Sequence, residues 1–277
     1  MAEAQVSSVK TIGRAAMVLK ALAAGPGFGS RLTDIATATG LGKATAHRLL
    51  GALADVGFVD FDDQEKLYRL GYALFALGAS ARAFHVVDLA RSSLVRLAAE
   101  TGDTVYLSVR DGDEALCVDR RTGSFPIRTL TLDVGDRRPL GIGAGSLALL
   151  AFENEAEIER VIRANAPARR NYAAFDDARL RALIAQAREQ GYAFNDGNIV
   201  SAMGAVGVPV MDEAGRVLAA LSIAAIRERF DGRRQAQLVS LLQAEARELA
   251  SALAEASGTQ PGLAPRSRRT RIREDVA

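Results

Sequence analysis

A chain of 277 residues and 29.3 kDa is long enough for two packed units, and 49% hydrophobic with 25% charged residues is the balance of a globular protein, not a disordered or collagenous one. The longest stretch without a charged residue, Gly197 to Met211, has 15 residues and contains Asn198 and Pro209, short of the roughly 20 apolar residues that cross a bilayer, which excludes a transmembrane reading. Net charge is only +2, yet residues 1–50 hold six Lys and Arg against Glu3 and Asp34, while residues 51–65 hold five acids and no base, so positive charge gathers at the front.

In chain order, Ile12, Ala15, Ala16, Leu19, Leu22 and Ala23 recur at helical spacing until Gly25-Pro26-Gly27 stops them, predicting a first helix of about three turns. Lys20 inside the apolar stretch makes this an amphipathic helix, not a secretory leader. Thr33 is placed to cap a short second helix that Gly40 ends, and a tight turn through Leu41-Gly42 opens a third. From Lys43 to Val56, Ala46, Leu49, Leu50, Leu53 and Val56 fall on one side of that helix, and Ala44, His47, Arg48, Gly51 and Asp55 on the other. Two helices joined by a glycine turn, the second with a small, basic outer face, form the helix-turn-helix pattern whose second helix lies in the DNA major groove. Residues 57–61 and 66–70 read as a hairpin where a wing would be, which predicts a winged helix-turn-helix.

Helices are then expected over residues 71–84 and 86–100, followed by strands over Thr104–Arg110, Glu114–Arg120 and Pro126–Val134. Helical spacing returns over 144–152, 155–165 and 177–190, strand character over 192–194, 205–211 and 217–226, and a last helix runs over 232–256. Strands grouped at both ends of a helical stretch predict an α+β domain, not a doubly wound parallel sheet. After Ser257 a Gly/Pro/Ser-containing tail with five arginines between Arg266 and Arg273 lacks apolar periodicity and reads as disordered.

Catalytic and metal constellations are missing from the pattern. The lone Cys117 and two histidines supply neither a disulfide nor a Cys/His zinc site, so no metal or cofactor is expected, and a reducing, cytoplasmic setting is. Cys117 sits in a strand pattern and reads as a small buried residue. Gly141-Ile142-Gly143-Ala144-Gly145 is no dinucleotide fingerprint, because Asp136-Arg137-Arg138-Pro139 stands where an apolar strand is needed and the third glycine is misplaced. It leaves a glycine-rich loop opening a helix, whose N–H groups can hold a carboxylate or whose glycines let the helix start pack closely on a sheet.

The runs Ile12-Gly13-Arg14-Ala15, Leu32-Thr33-Asp34-Ile35-Ala36 and Gly40 to Leu50, with Gly57-Phe58-Val59, resemble the DNA-binding half of the IclR family of bacterial transcriptional regulators. The resemblance continues through Pro139 to Gly145, Gly191 to Phe194, Gly207 to Val210 and Ala219 to Ile223, covering about residues 9–256. It implies a DNA-binding domain over 9–70, a linker helix over 71–85, a GAF-like effector domain over 86–256 and a tail over 257–277. The expected function is an effector-responsive regulator without enzymatic activity, a repressor of a catabolic operon controlled by a small organic acid. A ligand-binding enzyme with an accessory basic domain is the rival reading.

Lys43, Ala44, Thr45, His47 and Arg48 are the candidates for operator DNA, with Arg48 the base reader, and Arg14 on the first helix is a candidate either for the DNA backbone or for an intramolecular ion pair. The acids Asp62, Asp63 and Glu65 weigh against deep minor-groove insertion of the wing tip. The family also implies dimers or tetramers assembled through the DNA-binding half and linker, for which Leu70, Leu74, Phe75 and Leu77 are suited. The effector pocket it implies is bounded by Gly143 and Ala144 and by Asn195, Ala205, Ser222 and Ala224. Only Ser222 keeps a strand hydroxyl, and Asn195 stands in place of an acid, so the expected ligand has apolar or aromatic surface and a carboxylate held near Gly143 to Gly145. Arg128, on the strand expected before that loop, is a candidate for charge pairing.

Overall fold

The computed structural model describes residues 2–80 and 85–258, which fall into two compact units divided between residues 84 and 85. The basic run Arg266 to Arg273 lies outside the described residues.

In the first unit, helix α1 (Ala2–Ala24) is longer than expected, because neither glycine nor proline precedes Gly13 to stop it. Helix α2 (Leu32–Thr39) and helix α3 (Lys43–Asp55) pack with α1 around Val18, Leu22, Ile35, Leu49, Leu50 and Leu53. Thr33 is not the cap of α2. Arg31 holds that position, its N–H donating to Asp34 Oδ2 at 3.3 Å, and Thr33 lies inside the first turn. Gly40 closes α2 at φ 66°, the left-handed conformation that glycine adopts without penalty. Val56 also departs from expectation: it terminates α3 and is 57% exposed instead of joining the core, because the helical period ends at Asp55.

Strands β1 (Val59–Asp62) and β2 (Leu67–Leu70) form the wing, pairing from Val59 with Leu70 to Asp62 with Leu67. Asp62 Oδ1 accepts the N–H groups of Gln64 and Glu65 at 3.0 and 3.1 Å, which shapes the turn, and Ser30 exchanges backbone hydrogen bonds with Tyr68 in a single isolated bridge to the outer strand. Helix α4 (Tyr72–Ser80) follows.

The second unit opens with helix α5 (His85–Thr101) and a six-stranded antiparallel sheet of order β5-β4-β3-β8-β7-β6. Its strands are β3 (Thr104–Asp111), β4 (Glu114–Thr122), β5 (Arg137–Pro139), β6 (Ala193–Asp196), β7 (Met203–Met211) and β8 (Val217–Ile226). Between β5 and β6 come α6 (Ala144–Ala151), α7 (Glu155–Ala164), α8 (Ala166–Arg169) and α9 (Asp177–Gln190), and α10 (Gly232–Gly258) ends the described chain. Strand alternation divides the core. Val105, Leu107, Val206, Val208, Leu221 and Ile223 face α5 and α10, whereas Ala115, Ala193 and Ala220 face α6, α7 and α9. The sheet therefore lies between two helical layers, an α+β arrangement.

The strand expected over Pro126–Val134 does not form, and the third strand of that edge is the short β5. Pro126 has no N–H to give a ladder, and the carbonyls here are claimed by side chains instead. Tyr106 Oη donates to the Thr129 carbonyl, Arg120 Nη1 to Leu132 at 2.8 Å, and Arg138 Nη2 to Thr131 at 2.7 Å. An irregular strap thus crosses one face of the sheet, held by donors from β3, β4 and β5.

Candidate functional sites

On α3, Ala46, Leu49, Leu50 and Leu53 are spent on the core, which turns Lys43, Ala44, His47 and Arg48 outward. All four are exposed, and Thr45 is half-buried. Among the described residues, no side-chain hydrogen bond or ion pair engages Lys43, His47 or Arg48. The wing differs: Lys66 pairs with Asp63 at 2.6 Å, and Arg69 with Asp62 at 3.1 Å and Glu65 at 2.9 Å. The wing's cations are thus committed to its own acids while the α3 face keeps its positive charge unspent. Gly42 caps α3 without a side-chain acceptor, and with the Thr45 N–H taken by the Gly42 carbonyl at 2.9 Å, the N–H groups of Lys43 and Ala44 remain open. Arg14 is exposed on α1, on a different element from the rest of the expected set. Leu70, Phe75 and Leu77 are 42%, 77% and 55% exposed, and Leu74 is half-buried.

In the second unit the sheet face towards α6 contains a cavity with about 640 Å³ of empty space, its open mouth included. Gly143, Ala144, Asn195, Ala205, Ser222 and Ala224 all line it, brought together from the start of α6 and from β6, β7 and β8. Two glycines set the geometry. A Cβ on Gly207 would stand 2.6 Å from the Ala144 carbonyl oxygen, and one on Gly145 would stand 2.9 Å from Ser222 Oγ. Their bareness lets the helix start lie directly on β7 and β8, with unpaired first-turn N–H groups at the cavity wall. Close packing and an uncapped helix start are therefore compatible consequences of one loop.

Arg128 is exposed and is not among the lining residues, because the strand expected to carry it is the irregular strap. The lining arginine is Arg138. The sequence reading also missed Tyr106, Ser108 and Cys117, which stand on the same face at alternate positions of β3 and β4, and Thr129, Thr131 and Leu132 from the strap. The period-two pattern of β3, with Val105, Leu107 and Val109 towards the other layer, was the signal that could have found Tyr106 and Ser108.

Burial sets the chemistry of the wall. It pushes the Cys117 thiol up to about 12, so the group stays protonated and apolar in character, and it raises the Tyr106 phenol as well. Asn195 is 7% exposed, and its Oδ1 is buried without a hydrogen-bond partner. An orphaned buried carbonyl costs free energy unless something donates to it, so a polar ligand group is favoured there.

Residues 11–63 match the family model for the IclR helix-turn-helix domain, and residues 78–251 match the one for the bacterial transcriptional regulator IclR C-terminal domain. The chain belongs to the IclR family. The transcriptional regulator XynR of Escherichia coli K12 is 30% identical to this IclR-family chain, over 80% of it and 89% of XynR. Among solved structures, an IclR regulator from Alicyclobacillus acidocaldarius is 29% identical with a TM-score of 0.72, over 87% of this chain and 98% of that one. An IclR homologue from Microbacterium hydrocarbonoxydans, complexed with 4-hydroxybenzoate, shares the fold at a TM-score of 0.74 and 24% identity, covering 88% and 99%. The protein is thus a DNA-binding transcriptional regulator, from a family of regulators and not of enzymes. No described helix is long and apolar enough to cross a membrane.

Proposed function

We propose that this regulator is a cytoplasmic repressor of a catabolic operon whose grip on its operator changes when a small organic acid enters the cavity of the second unit. Operator DNA meets the outer face of α3, with Lys43 and Arg14 on phosphates, Arg48 reading a base edge, and Ala44, Thr45 and His47 beside them. Two copies present two such helices to a two-fold operator, assembled as a dimer or a tetramer through the apolar surface of Leu70, Leu74, Phe75 and Leu77. The effector carries apolar or aromatic surface against Tyr106, Cys117 and Ala224, which cluster on the cavity wall. Its carboxylate lies at the start of α6 between Gly143 and Gly145, and its polar groups reach Ser222 and Asn195.

The observation that carries this reading is the buried, unpartnered Oδ1 of Asn195, a residue that lines a cavity also holding an open helix start. Footprinting of the full chain on the DNA upstream of its own gene, repeated with a panel of small acids that includes 4-hydroxybenzoate, tests it. A protected segment that weakens with one acid and not with neutral analogues is expected. Protection that no acid alters would overturn the effector half of the reading.

A further inference from the structure

Arg137 and Arg138 are neighbours on β5, and strand alternation gives them opposite surroundings. Arg137 is exposed and doubly paired, with Asp111 at 2.6 Å and Glu114 at 3.2 Å. Arg138 is turned inward beside Ala115, half-buried in the cavity wall, and its hydrogen-bond partner is the Thr131 carbonyl at 2.7 Å. Among the described residues no carboxylate lies within ion-pair distance of it. The phenols of Tyr172 and Tyr106 act on it before any carboxylate does, and the first carboxylate, Asp136, is exposed and accepts the N–H of Asp133 at 2.8 Å.

A guanidinium is always charged, and burying one without a counter-ion is expensive. Burial accordingly lowers the Arg138 pKa. Position adds direction to the charge. A Cβ built on Gly143 would stand 3.3 Å from Arg138 Nη1, so one arm of the guanidinium reaches the start of α6 while the other holds the strap. The arm at Gly143 and the first-turn N–H groups of α6 converge on the same part of the cavity, from β5 on one side and the helix on the other.

We propose that Arg138 is the specificity-determining residue of the cavity: it selects a carboxylate over a neutral group, clamping it between Nη1 and the first turn of α6. This deepens the effector reading above and rests on it. Because Nη2 holds the Thr131 carbonyl, a bound carboxylate and the strap share one cation. Charge-assisted hydrogen bonds are about twice as strong as neutral ones, which makes the acid-to-amide preference the quantity to measure.

Calorimetry or thermal shift on the full chain, using benzoate and 4-hydroxybenzoate against benzamide and 4-hydroxybenzamide, supplies that ratio. Wild type should prefer the acids by about ten-fold or more. Arg138→Met and Arg138→Gln should bring the ratio close to one, and Arg138→Lys, which keeps charge but loses the fork, should fall between. The ratio is internal to each variant, so a general loss of stability from a loosened strap does not mimic the effect, and the Gln and Lys variants decide the matter if the Met variant fails to fold. Acid preference unchanged in the variants, or amides binding wild type as well as acids do, would overturn the role of Arg138 and leave the cavity as an effector site. None of the four compounds binding wild type would overturn the aromatic-acid reading and this inference with it.

Discussion

Lys43 and Arg48 stand on the outer face of a helix whose inner face is fully engaged in the core, so replacing them removes charge without removing packing. Arg48→Ala should cost about 1–3 kcal/mol on the operator and relax selection at one base position, while Lys43→Ala should weaken all sequences alike and reduce the salt slope. Fluorescence anisotropy on operator and scrambled duplexes, across a salt series, separates the two patterns. Cys117 offers a second measurement at the level of one atom. With its thiol pushed up to about 12 from an ordinary 9.0, the thiolate is favoured only after unfolding, so its contribution to stability is complete at neutral pH and is lost as pH rises past about 9. Alkylation at pH 8 should be about a thousand-fold slower in the folded protein than after denaturation. Equal rates would place the thiol in water. The same residue shows what a sequence yields at this scale: its buried, unreactive character was legible, but its place on a cavity wall was not, since that depends on how β4 registers against β3. Asn195 and Ser222 were reachable through the family resemblance. Arg138 was not, because reading Pro126–Val134 as a strand sent the search for a cation to Arg128.

The helix α6 is buried along its whole length and rests on the sheet where Gly207 permits it. Gly207→Ala would drive a methyl to 2.6 Å from the Ala144 carbonyl oxygen, and the forced shift should destabilise the unit by about 1–3 kcal/mol in urea denaturation. Unchanged stability would mean that the helix start sits further from β7 than described. A second element is tied down by charge. Glu157 on α7 joins Arg160, at 2.8 Å from both Nε and Nη2, to Arg110 of β3. These donors, Arg160 first, hold its carboxyl down to about 2 from an ordinary 4.5. The contribution is complete above about pH 5 and lost as pH falls towards 2, so the stability gap between wild type and Glu157→Gln should be widest near neutrality and close on acidification. A gap independent of pH would contradict this. Elements with a strong period were read well from sequence, including α9 and the hairpin of β7 and β8. The strap was misread because threonines and leucines alternating after a proline look like a strand, whereas its backbone partners are side chains distant in sequence, Tyr106, Arg120 and Arg138.

At the scale of the molecule, two units with separate cores carry two separate chemistries, an unspent basic face and a cavity with an orphaned acceptor. Regulation then requires only that the acid bind the two DNA-binding states of the protein unequally, typically by about 1–3 kcal/mol, or 5- to 150-fold. That coupling is reciprocal: whatever factor the acid takes from operator affinity, the operator must take from acid affinity. The two-unit organisation was legible in the sequence from the early concentration of positive charge and the change from helix-turn-helix to strand spacing, but the coupling between units is a thermodynamic quantity that no spacing encodes. The most direct test is calorimetric titration of the full chain with the acid that alters the footprint, once free and once saturated with its operator. The expected result is an acid affinity at least about five-fold weaker on the DNA-bound protein, matched by the same factor in operator affinity when acid is present. Identical acid affinities with and without operator would contradict an acid-controlled repressor.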